Sequence, residues 1–390
     1  MTLKVQNMNI TSLVASKLTG ALPAISGAAV TNLPGIDTGA GDPTETTNST
    51  LGTHYINSTT GAMFCCTDAT TNANVWVHSG GFREKCFGGN GVGRTRGYIA
   101  GGGDNVGGGY PPIASIEKFN FASGSSTSGH GSLRVAAYAS QCGVSSSSHG
   151  FVLGGIPLST SVEKFSFASS GQQTTHGTIS STNFPNLYSA SGSTSHTKGY
   201  HAGGHISGYT SKIGWIDLTS EAEGGEHGNL SSGYQPSYGS GHSSHTHGYA
   251  SGGANGPLFT KINKYAFASN VTATNIGSLT TARRLGAGTS SETNGYIAGG
   301  IGSTPSRFSG IEKFSFSSDG NSVTRGDFFN GRTSGGAAGM SSETHGYAAG
   351  GHNGSAYLTD INRWANASDV VGTDWGDLGT ARENAAGHQF

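Results

Sequence analysis

A glycine-framed hexapeptide that occurs six times constrains this chain more than any other feature. The copies begin at Gly97, Gly150, Gly199, Gly248, Gly295 and Gly346, and the fifth reads Gly295-Tyr296-Ile297-Ala298-Gly299-Gly300. Each places an aromatic residue second (Tyr98, Phe151, Tyr200, Tyr249, Tyr296, Tyr347) and closes on a diglycine. The starts lie 53 residues apart at the widest, 97 to 150, and 47 at the narrowest, 248 to 295. A period of that size marks a repeated supersecondary unit, which cannot bury its apolar face alone and must stack on its neighbours. With 67 Gly among 390 residues and only 11% charged residues, the repeats cannot be helical. Glycine costs about 1 kcal/mol per helical site relative to alanine.

Three further elements accompany each copy. After it comes a β-prone run such as Ile116-Glu117-Lys118-Phe119-Asn120-Phe121 or Ile311-Glu312-Lys313-Phe314-Ser315-Phe316. Before it stands a run of tiny side chains, as in Leu285-Gly286-Ala287-Gly288-Thr289-Ser290, suited to a crowded axis. A weaker fourth run follows the second, as in Ser278-Leu279-Thr280-Thr281-Ala282-Arg283. The triplet ahead of each hexapeptide has Thr or Ser in the middle, as in His245-Thr246-His247, and a hydroxyl there can bond nearby backbone in a turn. Four strands in each of six repeats predict a six-bladed β-propeller over 82–390, and the chain resembles kelch-repeat propellers there. The tryptophan usual in the outer strand of such repeats has one counterpart, Trp375. Residues 383–390 and residues 85–92 are both candidates for the innermost strand that closes the ring.

Residues 1–81 lack the repeat and form a separate assembly segment. Its first part carries spaced aliphatics, Leu18, Leu22, Ile25, Val30 and Leu33, among Gly, Ala and Thr, too few for a core of its own. Two strands joined at Thr59-Thr60-Gly61 follow, then a strand bearing Trp76. Both parts resemble the N-terminal regions of tailed-bacteriophage fibre and appendage proteins, and the Ser-rich repeats resemble virion proteins of phages that include cyanophages. That resemblance implies an all-β chain with an extended fibre-like N-terminal segment and a small β-hairpin ahead of the propeller. It further implies a non-enzymatic virion structural protein, a tail fibre or baseplate-associated appendage assembled in the host cytoplasm. The implied partners are other virion proteins through the N-terminal segment, two further copies in a homotrimer, and host surface polysaccharide through the propeller.

The residues offer little chemistry beyond the repeat. A formal net charge of -1 argues against nucleic-acid partners. No run approaches the roughly 20 apolar residues of a membrane span, and the N-terminus lacks the apolar core of a secretion signal. Cys65, Cys66, Cys86 and Cys142 show no Cys-x-x-Cys spacing, so they read as free thiols and not as a zinc site. His242, His245 and His247 cluster, but His245 and His247 occupy a turn that holds Glu, Asn or Arg in other repeats, so no metal or cofactor is expected. Glu117, Glu163 and Glu312 recur at equivalent positions beside lysines, which reads as scaffold. No pair of carboxylates is singled out for glycosidase chemistry, so no catalytic residue is assigned. Loops between the second and third strands carry aromatics, Tyr110, Tyr209, Phe259, Phe308 and Tyr357, expected to ring one face as candidate sugar platforms. The same rings could instead cover the edges of their own blades. The alternative to the appendage reading is a carbohydrate-active enzyme or lectin on a propeller scaffold.

Overall fold

The first four residues of each hexapeptide lie in the second strand of a mainly antiparallel sheet, and that strand ends just before the diglycine. The computed structural model describes residues 36–78 and 95–389, with interruptions at 42, 45, 59–62, 73, 105–110, 125, 139–141, 158–159, 173, 196, 221 and 304–305. The expectations for Leu18, Leu22, Ile25, Val30 and Leu33, for Cys86, for the Thr59–Gly61 turn and for 85–92 lie outside the described residues. The chain divides into two compact units, Met1–Arg83 and Glu84–Phe390.

The larger unit contains six such sheets, five of four strands and the first extended to five by Gly171–Gln172, which runs parallel to Ser128–Ser132. From inside outward, the first runs Ala386–Gln389, Arg96–Ala100, Ser115–Asn120, Ser128–Ser132, and the second Gly143–Ser145, His149–Leu153, Ser161–Ser166, Thr174–Thr178. The third is Ser191–Thr194, Lys198–Ala202, Lys212–Asp217, Gly225–Asn229, and the fourth Ser240–Ser243, His247–Ser251, Lys261–Ala266, Thr274–Ser278. The fifth is Ala287–Ser290, Asn294–Ala298, Gly310–Ser315, Val323–Asp327, and the sixth Ala338–Ser341, His345–Ala349, Asp360–Ala365, Thr373–Asp377. The innermost strands adjoin in the same cyclic order, and the sixth meets Ala386–Gln389, which in turn meets Gly143–Ser145. The architecture is therefore all-β and propeller-like. Ala386–Gln389 supplies the inner strand of the first sheet, paired Ala386 to Ala100 and Gln389 to Gly97.

The hexapeptide's parts have separate physical causes. Its first glycine lies directly opposite a large residue of the third strand, as Gly295 opposes Phe314 and Gly346 opposes Trp364. A Cβ at Gly295 would stand within the Phe314 ring. The diglycine takes left-handed backbone, as at Gly252 (φ +64) and Gly253 (φ +86). This turns the Gly253 N–H onto the Arg283 carbonyl at 2.8 Å, in the crossover to the next sheet. The small residues of the inner strands allow backbone to meet backbone around the axis. A Cβ on Gly192 would lie 2.7 Å from the Gly143 carbonyl of the preceding sheet.

The hexapeptide aromatic joins each sheet to the next. Tyr98, Tyr200, Tyr249 and Tyr347 lie against Phe167, Phe267, Phe316 and Phe121, with ring centroids 4.6–4.8 Å apart. The hydroxyls of Tyr98, Tyr200, Tyr296 and Tyr347 donate to carbonyls of Phe167, Phe267, Asn366 and Phe121 at 3.1–3.3 Å. The last of these runs from the sixth sheet to the first. Burial of such rings, at roughly 25 cal/mol per Å² of apolar surface, supplies the core, which is split into clusters between sheets.

Turn chemistry departs from expectation in one respect. The hydroxyl that accepts from the turn backbone is one residue ahead of the triplet: Ser146, Ser195, Ser244, Ser291 and Ser342 take the N–H three residues on at 3.0–3.1 Å. The middle hydroxyls of Ser148, Thr246 and Thr344 instead bond the following histidine's Nδ1.

In the smaller unit, Ile36–Gly39 pairs in parallel with His54–Asn57, which is antiparallel to Met63–Asp68 and then Val75–His78. Tyr55 is buried with edge contacts to Phe64 and Trp76 at 6.4 and 5.7 Å, and Trp76 Nε1 donates to the Thr47 carbonyl. Cys65, Cys66 and Cys142 are free thiols.

Gly295→Ala should lower stability by about 1–3 kcal/mol through overpacking against Phe314. In denaturant titration, Gly295→Ala combined with Phe314→Leu should cost less than the sum of the two single changes. Simple additivity would show that the two positions do not press on one another.

Candidate functional site

The repeated glutamates of the ring are committed to holding sheets together. In five of six sheets the residue two places into the third-strand motif accepts an N–H from the incoming crossover. Glu117 accepts from Gly379, Glu163 from Arg134, Asn263 from Ser231, Glu312 from Thr280 and Asn362 from Phe329, at 2.7–3.2 Å. Buried Arg382 and Arg283 complete the latch by pairing with Glu117 and Glu312. In the third sheet the position is Gly214, and the Phe184 and His201 rings, 4.3 Å apart, fill the space. Carboxylate, amide and glycine serve one place, so the glutamates are part of the scaffold.

The outer strands carry a second device that the sequence conceals. His130, His176 and His227 donate Nε2–H to the Ser166, Asp217 and Ala266 carbonyls of the next sheet, each at 2.7 Å. The carbonyl acceptor fixes the proton on Nε2. Arg325 plays this part in the fifth sheet, bonding the Ala365 carbonyl, and Trp375 bonds the Asn120 carbonyl in the sixth. Trp375 is thus one of several residues at the outer-strand tryptophan place, and Ile276 fills it without a polar bond. His130 and His227 also press edge-on against Tyr98 and Tyr200 at 4.9 Å, so those tyrosines are held from both sides.

His242 and His388 on inner strands, and His201 on a second strand, are fully buried. Burial lowers them to about 3, about 4 and about 3. His242 bonds the Thr289 carbonyl and Ser251 Oγ, and His388 bonds the Val144 carbonyl. Among the described residues no group of three or more His, Cys, Asp or Glu is placed to hold a metal ion.

The remaining candidate surface is the face at the diglycine ends. There, in five of the six sheets, the loop residue after the diglycine bridges to two segments: the crossover entering its own inner strand and the approach to its own third strand; Ile156 of the second sheet bridges to the crossover residue Tyr138. Tyr209 and Tyr357 are bridge partners of His205 and His352. Phe259 and Phe308 sit one register place further on, where their N–H groups bond the Gly253 and Gly300 carbonyls. Adjacent residues of extended chain face opposite ways. The expected ring of five aromatics therefore divides. Phe259 packs on buried Tyr234 with centroids 5.2 Å apart, and Phe308 covers the buried Arg283 guanidinium at 4.6 Å. Tyr209 is 47% exposed, and Tyr357 is half-buried against His352 at 4.6 Å. Tyr110 lies outside the described residues.

No family model and no curated protein matches this chain. Its fold is similar to that of a solved protein described as "Structure of YjhT", with a TM-score of 0.53 and 11% identity over 65% of this chain and 87% of that one. At that identity the likeness shows the fold alone, an all-β, propeller-like architecture. Among the described residues no helix is long and apolar enough to cross a membrane.

Sequence reading missed Tyr138, Tyr188 and Tyr238, which stand in the crossovers before inner strands. Tyr188 stacks on His205, with centroids 4.8 Å apart and planes at 27°, and His205 meets Tyr209 edge-on at 5.4 Å. Tyr238 has left-handed backbone (φ 59), and its N–H bonds the Ser189 carbonyl at 2.8 Å. Crossovers carry no repeat of fixed length, so periodicity gave no signal for them.

The buried imidazoles fix a pH dependence. The unfolded chain takes up a proton on each near pH 6.5, whereas the fold keeps all three neutral down to about 4 or about 3. Below 6.5 the unfolded state binds more protons, so stability falls with pH by up to about 1.4 kcal/mol per unit for each imidazole. Denaturant midpoints should drop on acidification from pH 6.5 towards 4, and His242→Gln should flatten the slope. A midpoint constant across that window would contradict neutral burial.

Proposed function

We propose that this chain is a non-enzymatic virion structural protein, a tail fibre or baseplate-associated appendage. In this reading the ring is a six-bladed kelch-type propeller whose diglycine face contacts host surface glycan. The observation that carries the reading is the hairpin His54–Asn57 with Met63–Asp68, followed by the Trp76 strand. It is the segment whose sequence resembles phage fibre N-terminal regions, and it precedes a ring that closes on itself. The commitment of the repeated glutamates and outer-strand histidines to sheet-to-sheet bonds supports a scaffold over a catalyst. Residues 1–81 serve assembly with other virion proteins and trimerisation, because a chain rich in small residues gains stability mainly by docking.

Mass spectrometry of purified particles from the phage whose genome encodes this chain should detect it as a stoichiometric component. A chain beginning at residue 82 should fold as a monomer and be missing from particles. Incorporation of the truncated chain at the full-length level would reject the assembly role. Absence of the full-length chain from particles would reject the virion reading.

A further inference from the structure

The sheets serve as internal controls: among the described residues five of them build the same pair of bridges at the diglycine face, and the second builds one, Tyr138 to Ile156; in the sixth the three places are Gly335, His352 and Tyr357. Ser237, Ala254 and Leu258 make them in the fourth sheet, and Glu383, Gly103 and Pro112 in the first. Arg284, Ile301 and Arg307 do so in the fifth. The backbone there requires no aromatic residue. In the third sheet alone among these, all three places are rings: Tyr188, His205 and Tyr209. The outermost ring is left 47% exposed. A run of three rings, Tyr188 and His205 half-buried and Tyr209 exposed, that the fold does not need calls for another cause.

Its surroundings narrow the ligand. Tyr238 follows from the next crossover, tied through its N–H to Ser189 beside Tyr188. Burial raises the Tyr188 hydroxyl above its ordinary value, and the hydroxyls of Tyr238, Tyr209 and Tyr138 raise it further. It therefore remains a hydrogen-bond donor at neutral pH. Gly239, next to Tyr238, lines a shallow axial depression open to solvent, together with Gly241, Gly286, Gly288, Gly339 and Gly387. These walls offer backbone groups and no ionised side chain. The charged bridge residues, Arg284, Arg307 and Glu383, belong to the fifth and first sheets.

We propose that the Tyr188–His205–Tyr209 face is a binding site for one neutral pyranose, stacked on the exposed Tyr209 ring with its hydroxyls directed to the tyrosine hydroxyls. The apolar face of a sugar ring matches an aromatic platform. Among the described residues the bridge places of this sheet and the lining of the depression carry no Asp, Glu, Lys or Arg, which favours a neutral sugar over an acidic one. This inference rests on the glycan-contact reading above and narrows it to one sector and one ligand class.

Saturation-transfer NMR on the full chain, with the methyl glycosides of glucose, galactose and mannose as probes, tests it. At least one should receive transfer. Tyr209→Ala and Tyr188→Ala should each weaken that sugar about tenfold, the loss of roughly 1.4 kcal/mol expected when a stacking ring is removed. Tyr209→Phe should keep most of the binding, and Tyr357→Ala, on the sixth sheet, should leave it unchanged. Because Tyr209 is exposed, its variants remain informative even if Tyr188→Ala does not fold. No transfer from any neutral glycoside overturns the proposal. So does transfer unaffected by Tyr209→Ala, or transfer from methyl N-acetylneuraminate alone. Sugar binding by a chain absent from particles would remove the virion reading and leave this site standing. Incorporation without sugar binding would do the reverse.

Discussion

The ring depends on one contact, the reach of a hexapeptide aromatic into the next sheet. Tyr98, Tyr200, Tyr249 and Tyr347 each lie along a phenylalanine of their neighbour, and three of those four also donate a hydroxyl to its backbone. A single sheet with so many small residues could not bury enough apolar surface to offset the entropy of ordering it. Joining sheets through large rings solves this, provided the circle has no open end. Tyr347 on Phe121 provides that closure at the level of side chains, and Ala386–Gln389 provides it at the level of strand pairing.

The same logic separates what was legible in the sequence from what was not. The hexapeptide was legible because every part is fixed by a contact repeated around the circle: glycine under a ring, an aromatic reaching outward, a diglycine with left-handed backbone. The outer-strand clasp was not legible. His130, His176, His227, Ile276, Arg325 and Trp375 share one place and, in five cases, one acceptor type, yet have no common side-chain class. What is conserved there is a donor aimed at a carbonyl, which residue names do not display. The strand that closes the ring was legible only as a choice between 383–390 and 85–92, since the pairing joins segments nearly 300 residues apart with no local signature.

The candidate site shows the complementary limit. The loop aromatics were visible as residues, but their division between outward Tyr209 and inward Phe259 depends on a one-residue register difference that only the backbone bridges reveal. Tyr188 entered the site from a crossover of irregular length and joined His205 through packing. Repetition thus helps twice. Places where chemistry varies freely while the bond survives belong to the scaffold. A place where one repeat departs from the others without structural need is where function is to be sought.

Ring closure is the central claim, and equilibrium denaturation of a chain ending at residue 385, beside the full chain, tests it most directly. Without Ala386–Gln389 the strand edge of Arg96–Ala100 loses its partner, and the contacts of His388 and of the neighbouring inner strands are lost. The expected result is a large fall in midpoint with a broadened, multi-step transition, as the sheets cease to unfold as one unit. An unchanged midpoint with an equally sharp transition would contradict the account.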